Sequence, residues 1–464
     1  MLALVPDLVL ALPVPYDPPC PSLPNPDPGP TREEMSMNGV KIMQKRSYYG
    51  LLSTISLSAF GDAFGLLAME WLVYELTGSK LAMGALALSA GIPELVLRLL
   101  GSPLSDRLPR VRFMAFLAAI RLLAIALPLG MGLAGELQLW HLFAAASLSG
   151  ACAALFLPTA MAVIPGITGN HKLVRAFAVI DGCKSAAALL GPALAGVMTA
   201  ASGALPALAI NAICYTAAIV TLLYLPKLPR PAAASGTFSL SAYLREIAEG
   251  FTFYRQFPAM LTIMGMAAVS NLSSIAVWTM MVPYVREVLH RDAAAMGTLT
   301  TVSALGTLGG LGVISLLGEM KRRRLIMLGS LAGIGTATAL WGLIPSFHFA
   351  LFAVFVTGVL GPFFGSLSSS LHGRLVPGNL QGRVNSIRFL IGGSLQPFGA
   401  FAGGAVAELY GVPALFVAAG LLPVLCAGLA LLLPGLKALD GDLSVLEART
   451  LQSSGPVMPS VSRP

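Results

Sequence analysis

The chain has 464 residues, of which 56% are hydrophobic and only 11% are charged. Soluble domains carry about 25% charged residues, so this composition excludes an ordinary soluble protein and indicates an integral membrane protein. The formal net charge of +8 arises from short basic clusters between apolar runs. It therefore does not indicate a nucleic-acid-binding face.

Residues 1–44 are predicted to form a proline-rich N-terminal segment outside the membrane. Its first part is apolar but is interrupted by prolines, and it lacks the basic start of a signal peptide. More prolines follow up to Pro30, and their spacing favours an extended or disordered chain. A translation start at Met35 or Met37 is one interpretation of this segment, and a docking tail is another.

Twelve apolar runs follow, each close to the ~20 residues that a helix needs to cross a bilayer. They cover about 50–73, 80–102, 113–134, 139–164, 176–200, 205–226, 258–284, 295–318, 325–344, 348–370, 384–407 and 412–434. Most loops between them are short, so consecutive helices should be antiparallel. The predicted fold class is an all-α integral membrane protein with twelve transmembrane helices.

The distribution of Lys and Arg predicts the orientation of these spans. If both termini are cytoplasmic, only Lys80, Arg286 and Arg291 of the 29 Lys and Arg residues fall in exterior loops. Cytoplasmic loops are enriched in these residues. We therefore expect a multi-pass protein of the cell (inner) membrane with both termini inside, and we use "exterior end" and "cytoplasmic end" in this predicted sense.

One long connector, residues 227–257, divides the spans six and six. It begins with a linker-like stretch and continues with apolar residues at three-four spacing, which predicts an amphipathic helix on the membrane surface. A short soluble helix packed on the loops is the alternative. The expected organisation is an N-terminal bundle (45–226), this cytoplasmic linker, a C-terminal bundle (258–434) and a cytoplasmic tail (435–464).

The two predicted bundles contain the same short sequence at corresponding positions. The tripeptide at 206–208 recurs at 413–415, and both copies follow a glycine-containing turn. Such an internal repeat indicates two parallel six-helix repeats related by an axis along the membrane normal.

The loop after the second span concentrates charge in a chain that has little of it. Residues 102–112 contain Asp106, Arg107, Arg110 and Arg112. This loop resembles the one between helices 2 and 3 of the major facilitator superfamily, whose signature reads roughly Gly-x-Leu-Ala-Asp-Arg-x-Gly-Arg-Lys/Arg. The charge density of the loop and its cytoplasmic placement predict that the four charged residues control conformational switching. A plain basic loop is the alternative.

The resemblance covers about residues 45–434 and is closest to the branch containing macrolide-efflux proteins and the enterobactin exporter. The stretches that carry it are 61–62, 71–79, 158–160, 190–196 and 382–386. It implies two six-helix bundles that alternate access to a central site. The arginine that many proton-coupled drug exporters carry in helix 4 is absent here, so their usual proton relay is not implied.

Charged residues inside the spans are the candidate substrate or proton-coupling residues, since a charge at mid-membrane costs about 2.5–3.5 kcal/mol. They are Asp62, Glu70, Arg121 and Asp181. Asp62 is preferred because no basic residue lies within one turn of it, although a structural bond to another helix is the alternative. Arg121 should require a carboxylate from another helix. Asp181 with Lys184, and Glu94 with Arg98, have the spacing of self-neutralising pairs on one helix.

The sequence thus predicts a secondary active transporter, specifically a proton-coupled exporter of an amphipathic drug, macrolide or siderophore-like molecule. An importer or lipid flippase on the same fold, or a non-transporting membrane sensor, remain alternatives. The sequence contains no catalytic constellation, phosphate loop or cluster of metal ligands, so we expect no enzyme activity, cofactor or metal. The expected partners are a small-molecule substrate, protons and the lipid bilayer, without nucleic acid, and the expected state is a monomer.

Overall fold

The computed structural model describes residues 32–100, 108–168, 173–225, 257–318, 322–376 and 381–433, together with a few isolated positions near these ranges. Within them the secondary structure is helical. The helices are α1 Arg32–Thr77, α2 Lys80–Leu100, α3 Arg110–Leu133, α4 Leu139–Thr168, α5 Leu173–Ser202, α6 Ala204–Leu223, α7 Pro258–Thr279, α8 Ala293–Leu317, α9 Arg323–Leu343, α10 Phe347–Leu375, α11 Gln381–Ser394, α12 Gln396–Tyr410 and α13 Val412–Leu431. After α7 the chain continues through Met281–Pro283 into a π-helical turn, Tyr284–Val288.

Eleven helices in the described part of the chain are long and apolar enough to cross a membrane. The predicted span 384–407 is the exception, because it consists of α11 and α12, which meet at Leu395. Pro397 has no N–H group and its ring clashes with the carbonyl of the preceding turn, so helical bonding is interrupted there. In the described part of the chain, the twelve predicted spans thus correspond to eleven continuous helices and one span that is divided into two.

The start of α1 also differs from the sequence-based expectation. The helix begins at Arg32, so the backbone of residues 32–44 is helical where an extended or disordered chain was expected. The prolines end at Pro30, and the residues that follow contain none, so nothing prevents a helix there. Residues 1–31, most of the predicted amphipathic helix of the linker and most of the tail lie outside the described residues.

The two halves repeat the same helix pairings. In the first half, α2 packs on α4, and α3 packs on both α4 and α6. In the second half, α8 packs on α10, and α9 packs on both α10 and α13. If the broken span is counted as one, each helix paired in the second half lies six spans after its counterpart in the first half. The chain is therefore built from two parallel six-helix repeats, here called the N half and the C half.

Among the described helices, the most extensive contacts between the halves are those of α2 with α12 and of α5 with α8. The α5–α8 contact is close because it uses glycine: a Cβ atom on Gly196 would lie 2.5 Å from the carbonyl oxygen of Ala293. The carbonyl oxygen of Pro192 in α5 also lies close to Gly297 in α8, 3.1 Å from the position that a Cβ atom of Gly297 would occupy. These contacts lie at the exterior ends of both helices, where small residues let the backbones touch.

Toward the cytoplasmic end, the same faces of α5 and α8 are exposed. Asp181 lies roughly three turns before Pro192 and hence on the same face of α5, and 70% of its side chain is exposed. Leu308 and Leu311 follow Gly297 by roughly three and four turns of α8, and they are 49% and 45% exposed. The halves therefore separate toward the cytoplasmic end, and we call the space between these side chains the α5–α8 cleft.

Candidate functional site

Helix α1 approaches α6 closely enough to bring an acidic side chain against it. A Cβ atom on Gly65 would lie 1.9 Å from Nδ2 of Asn211, and one on Gly61 would lie 2.8 Å from Cβ of Cys214. A Cβ atom at Gly61 would press on the Cβ atom of Cys214, and one at Gly65 would require the Asn211 amide to move, so glycine at both positions permits the close approach. The close approach places Asp62, which follows Gly61, within reach of α6.

Asp62 is held by side chains from two other helices. Nη2 of Arg121 in α3 lies 2.6 Å from Oδ1 of Asp62, and the hydroxyl of Tyr215 in α6 donates a hydrogen bond to the same oxygen. The guanidinium carbon of Arg121 lies 4.7 Å from the centre of the Tyr215 ring, which is within the range of a cation–π contact. We call Asp62, Arg121 and Tyr215 the charged cluster.

The two charges of the cluster differ in exposure. The side chain of Arg121 is 7% exposed, whereas that of Asp62 is 41% exposed. A guanidinium at such depth is strongly unfavourable without a counter-charge, and Asp62 supplies that charge. The prediction that Arg121 needs a carboxylate from another helix is confirmed, and Asp62 is the member of the cluster that can be reached from outside it.

Polar atoms around the charged cluster are incompletely satisfied. Oγ of Ser58, Oδ1 of Asn211 and Nε of Arg121 are buried and have no hydrogen-bond partner within the described part of the chain. Ser58 lies one turn before Asp62, and Asn211 lies one turn before Tyr215. Buried polar groups in proteins are nearly always hydrogen-bonded, so this region of the N half is suited to bind water or a polar group of a ligand.

Glu70 lies in different surroundings. It follows Asp62 by roughly two turns of α1 and is half-buried. It makes no hydrogen bond or ion pair with any residue that the structure describes. Asp62 and Glu70 are thus distinct, because among the described residues Asp62 has a positive partner and Glu70 has none.

The two predicted local pairs are confirmed as pairs. Nζ of Lys184 lies 3.6 Å from Oδ1 of Asp181 in the α5–α8 cleft, and Arg98 bonds Glu94 one turn before it on α2. Each pair leaves little net charge on its helix.

The charged loop before α3 is described only in part. Asp106 and Arg107 lie outside the described residues, whereas Nη1 of Arg110 donates a hydrogen bond of 2.7 Å to the carbonyl oxygen of Ala162. This bond ties the start of α3 to α4. Arg112 is exposed. The role of this loop in conformational switching stays a prediction. No group of residues that could hold a metal ion occurs among those described.

Tyr215 was not among the predicted site residues. A neutral aromatic residue within an apolar span gives no charge signal, so the sequence offers no reason to single it out. The spacing Gly61-x-x-x-Gly65 is typical of closely packed membrane helices. It could have indicated that α1 touches another helix beside Asp62, but not which helix.

Comparisons with known proteins agree with this architecture. The model of a family described as transmembrane secretion effector matches residues 45–461. The multidrug efflux pump Tap of Mycolicibacterium fortuitum is 24% identical over 390 residues, covering 82% of this chain and 94% of that protein. Macrolide efflux protein A of Streptococcus pyogenes is 21% identical over 402 residues, covering 85% and 98%.

A solved structure extends the likeness to three dimensions. The nucleoside transporter NupG matches with a TM-score of 0.64 at 14% identity, covering 84% of this chain and 98% of that one. At this level of identity the likeness concerns the fold alone.

Proposed function

Because this chain belongs to the transmembrane secretion effector family of the major facilitator superfamily, we propose that it is a proton-coupled exporter of an amphipathic small molecule. Membership makes it a membrane transporter with a small-molecule substrate, and both relatives are named for efflux. The proposal adds protons as the coupling ion, a drug or macrolide-like substrate, and a monomer in the inner membrane with both termini cytoplasmic.

The observation that carries the proposal is the α5–α8 cleft. The two halves are in backbone contact at the exterior end and apart at the cytoplasmic end. This arrangement suits a transporter ready to take up its substrate from the cytoplasm. Parting of the exterior contacts and closure of the cleft would then release the substrate outside, as alternating access requires.

The walls of the cleft support an amphipathic substrate. On one side α5 presents the ion pair of Asp181 and Lys184, and on the other α8 presents the exposed side chains of Leu308 and Leu311. A molecule with a polar end and an apolar body could contact both walls at once.

The proton-coupling role fits Glu70 better than Asp62. A proton on Asp62 would leave the buried Arg121 without a counter-charge, whereas a proton on Glu70 removes a charge that no described residue compensates. An ionised Glu70 should therefore oppose any state in which water cannot reach it. A proton taken up from the exterior, or a cationic group of the substrate, would neutralise it and permit the halves to move.

In this mechanism the charged cluster serves the substrate. The half-exposed Asp62 is anchored by Arg121 and Tyr215, so a cationic group of the substrate could bind it without moving the backbone. The polar atoms of Ser58 and Asn211 lie one turn away on either helix and could bind water or a hydroxyl of the same substrate.

Uptake of a compound panel into inverted vesicles tests the proposal. Wild-type protein should accumulate at least one amphipathic compound when a pH gradient is imposed and should lose that accumulation when the gradient is collapsed. Uptake that does not depend on the pH gradient would overturn proton coupling. Transport only in the opposite direction would favour an importer.

A further inference from the structure

We propose that the exterior end is held shut by a charged clasp that sets how readily the two halves part there. The exterior clasp consists of Glu75 and Lys80 of the N half with Arg286, Glu287 and Glu408 of the C half. The inference rests on the alternating access proposed above, and it assigns a positioning role to residues outside the charged cluster and the cleft.

The first contact of the clasp joins α1 to the π-helical turn after α7. Nη2 of Arg286 lies 2.8 Å from Oε1 of Glu75, which also accepts a hydrogen bond of 2.8 Å from Nε1 of Trp71. The guanidinium carbon of Arg286 lies 4.4 Å from the centre of the Trp71 ring. Arg286 is thus held by a carboxylate and an aromatic face of the other half.

The second contact uses the next residue of the same turn. Oε1 of Glu287 lies 2.8 Å from Nζ of Lys80 at the start of α2 and accepts a hydrogen bond of 2.6 Å from the hydroxyl of Tyr74. The turn therefore presents two adjacent charges of opposite sign, and each meets its complement on the N half. The order of these two charges therefore determines how the two halves align at the exterior end.

The third contact is made mainly to backbone at the start of α2, and the Ser79 hydroxyl adds one side-chain hydrogen bond of 3.4 Å to Oε2 of Glu408. Oε2 of Glu408, near the end of α12, accepts hydrogen bonds from the backbone N–H groups of Lys80 at 2.7 Å and Leu81 at 3.2 Å. The first N–H groups of a helix lack acceptors within the helix and carry partial positive charge. A carboxylate of the C half therefore caps a helix of the N half, and parting the halves removes this cap.

The position of these contacts indicates that they hold the exterior end closed and are not incidental surface ion pairs. Both ion pairs that join the two halves through described residues lie at the exterior end. Directly beneath them, a Cβ atom on Gly404 would lie 2.6 Å from the carbonyl oxygen of Lys80, so the backbones of α12 and α2 are in contact. Lys80 and Arg286 are also two of the three basic residues that the sequence places in exterior loops.

Distance measurements across the exterior end test the clasp without relying on transport. Spin labels are attached at Glu136→Cys in the N half and His348→Cys in the C half, both exposed, in full-length protein whose native cysteines are replaced by alanine. Lys80→Gln and Arg286→Gln should each raise the population with a long label distance about two- to fivefold, as expected for partly exposed ion pairs. The double variant should raise it above either single variant.

Arg291 offers a matched control. It is the third basic residue of the exterior loops, but its guanidinium carbon lies 5.4 Å from the Phe347 ring of its own half. Arg291→Gln removes the same charge at the same end and should leave the label distances unchanged. A response to this variant equal to that of Arg286→Gln would overturn the clasp in favour of a general charge effect.

A charge exchange separates a specific contact from damage to the fold. Lys80→Glu alone should open the exterior end, and Glu287→Lys added to it should return the distances toward wild type, because the Tyr74 hydroxyl can accept as well as donate a hydrogen bond. An exchanged protein as open as the single variant, or unchanged distances in the double glutamine variant, would overturn the proposal. A clasp that responds as expected in a protein without pH-driven transport would leave the clasp standing and overturn only the coupling.

Discussion

Replacing Asp62 by asparagine should destabilise the protein more than replacing Arg121 by glutamine, although both changes break the same ion pair. The reason is the difference in exposure, 7% for the Arg121 side chain and 41% for that of Asp62. Asp62→Asn leaves a buried guanidinium without a counter-charge. Arg121→Gln leaves a carboxylate that is partly accessible and still accepts a hydrogen bond from Tyr215.

The structure sets the size of the two effects. Removing one partner of a buried ion pair costs about 3–5 kcal/mol, and Asp62→Asn should fall in that range. Arg121→Gln should cost about 1.5–3 kcal/mol, the range for a hydrogen bond to a charged group. The double variant carries neither charge, so it should be more stable than Asp62→Asn alone, with a coupling of about 3 kcal/mol between the two sites.

Thermal unfolding of the four purified proteins in one detergent measures the order of stability. Membrane proteins of this size unfold irreversibly, so the comparison uses midpoints at a fixed heating rate. Wild type should melt highest, followed by Arg121→Gln, then the double variant, and Asp62→Asn should melt lowest. Strictly additive losses, or an Asp62→Asn protein that melts above Arg121→Gln, would refute the reasoning from buried charge.

Three further predictions address other parts of the molecule. Glu70→Gln, which mimics a permanently protonated side chain, should abolish accumulation driven by a pH gradient but keep downhill exchange of substrate between vesicles; retained accumulation would exclude Glu70 as the coupling site. Gly65→Ala should lower the midpoint of thermal unfolding, because its methyl group would lie 1.9 Å from Nδ2 of Asn211, whereas Gly130→Ala, with no atom within 4 Å of the added Cβ, should not. Asp106→Asn should leave the protein inserted at normal levels but cut the initial rate of transport strongly, and a wild-type rate would remove the switching role from that loop.

The fold could be predicted largely because spans and loops differ so much in composition. Runs of apolar residues determined the number of spans, and each of the eleven continuous membrane helices lies over one of them. The break at Leu395 was not predicted, because a count of apolar residues passes over Pro397 without interruption. The helical start of α1 at Arg32 was missed because the prolines before it were expected to prevent a helix further along the chain than they do.

The candidate site could be predicted only as a set of separate charges. Asp62 and Arg121 stand out in the sequence because each is a charge inside an apolar run. Their pairing depends on how α1 and α3 pack, and no local spacing encodes a contact between residues in different spans. The exterior clasp was missed for the same reason, because Lys80 and Arg286 read as ordinary loop residues until the two halves are brought together.

The order of the charged cluster along the chain bears on how the protein is inserted during synthesis. A guanidinium cannot lose its proton in a protein, whereas a carboxyl group can enter the bilayer neutral with a proton bound. Asp62 lies in the first helix and Arg121 in the third, so the acidic partner leaves the ribosome first and is already in the membrane when the arginine arrives. With the order reversed, the nascent chain would have to hold a bare guanidinium in lipid until its partner was made.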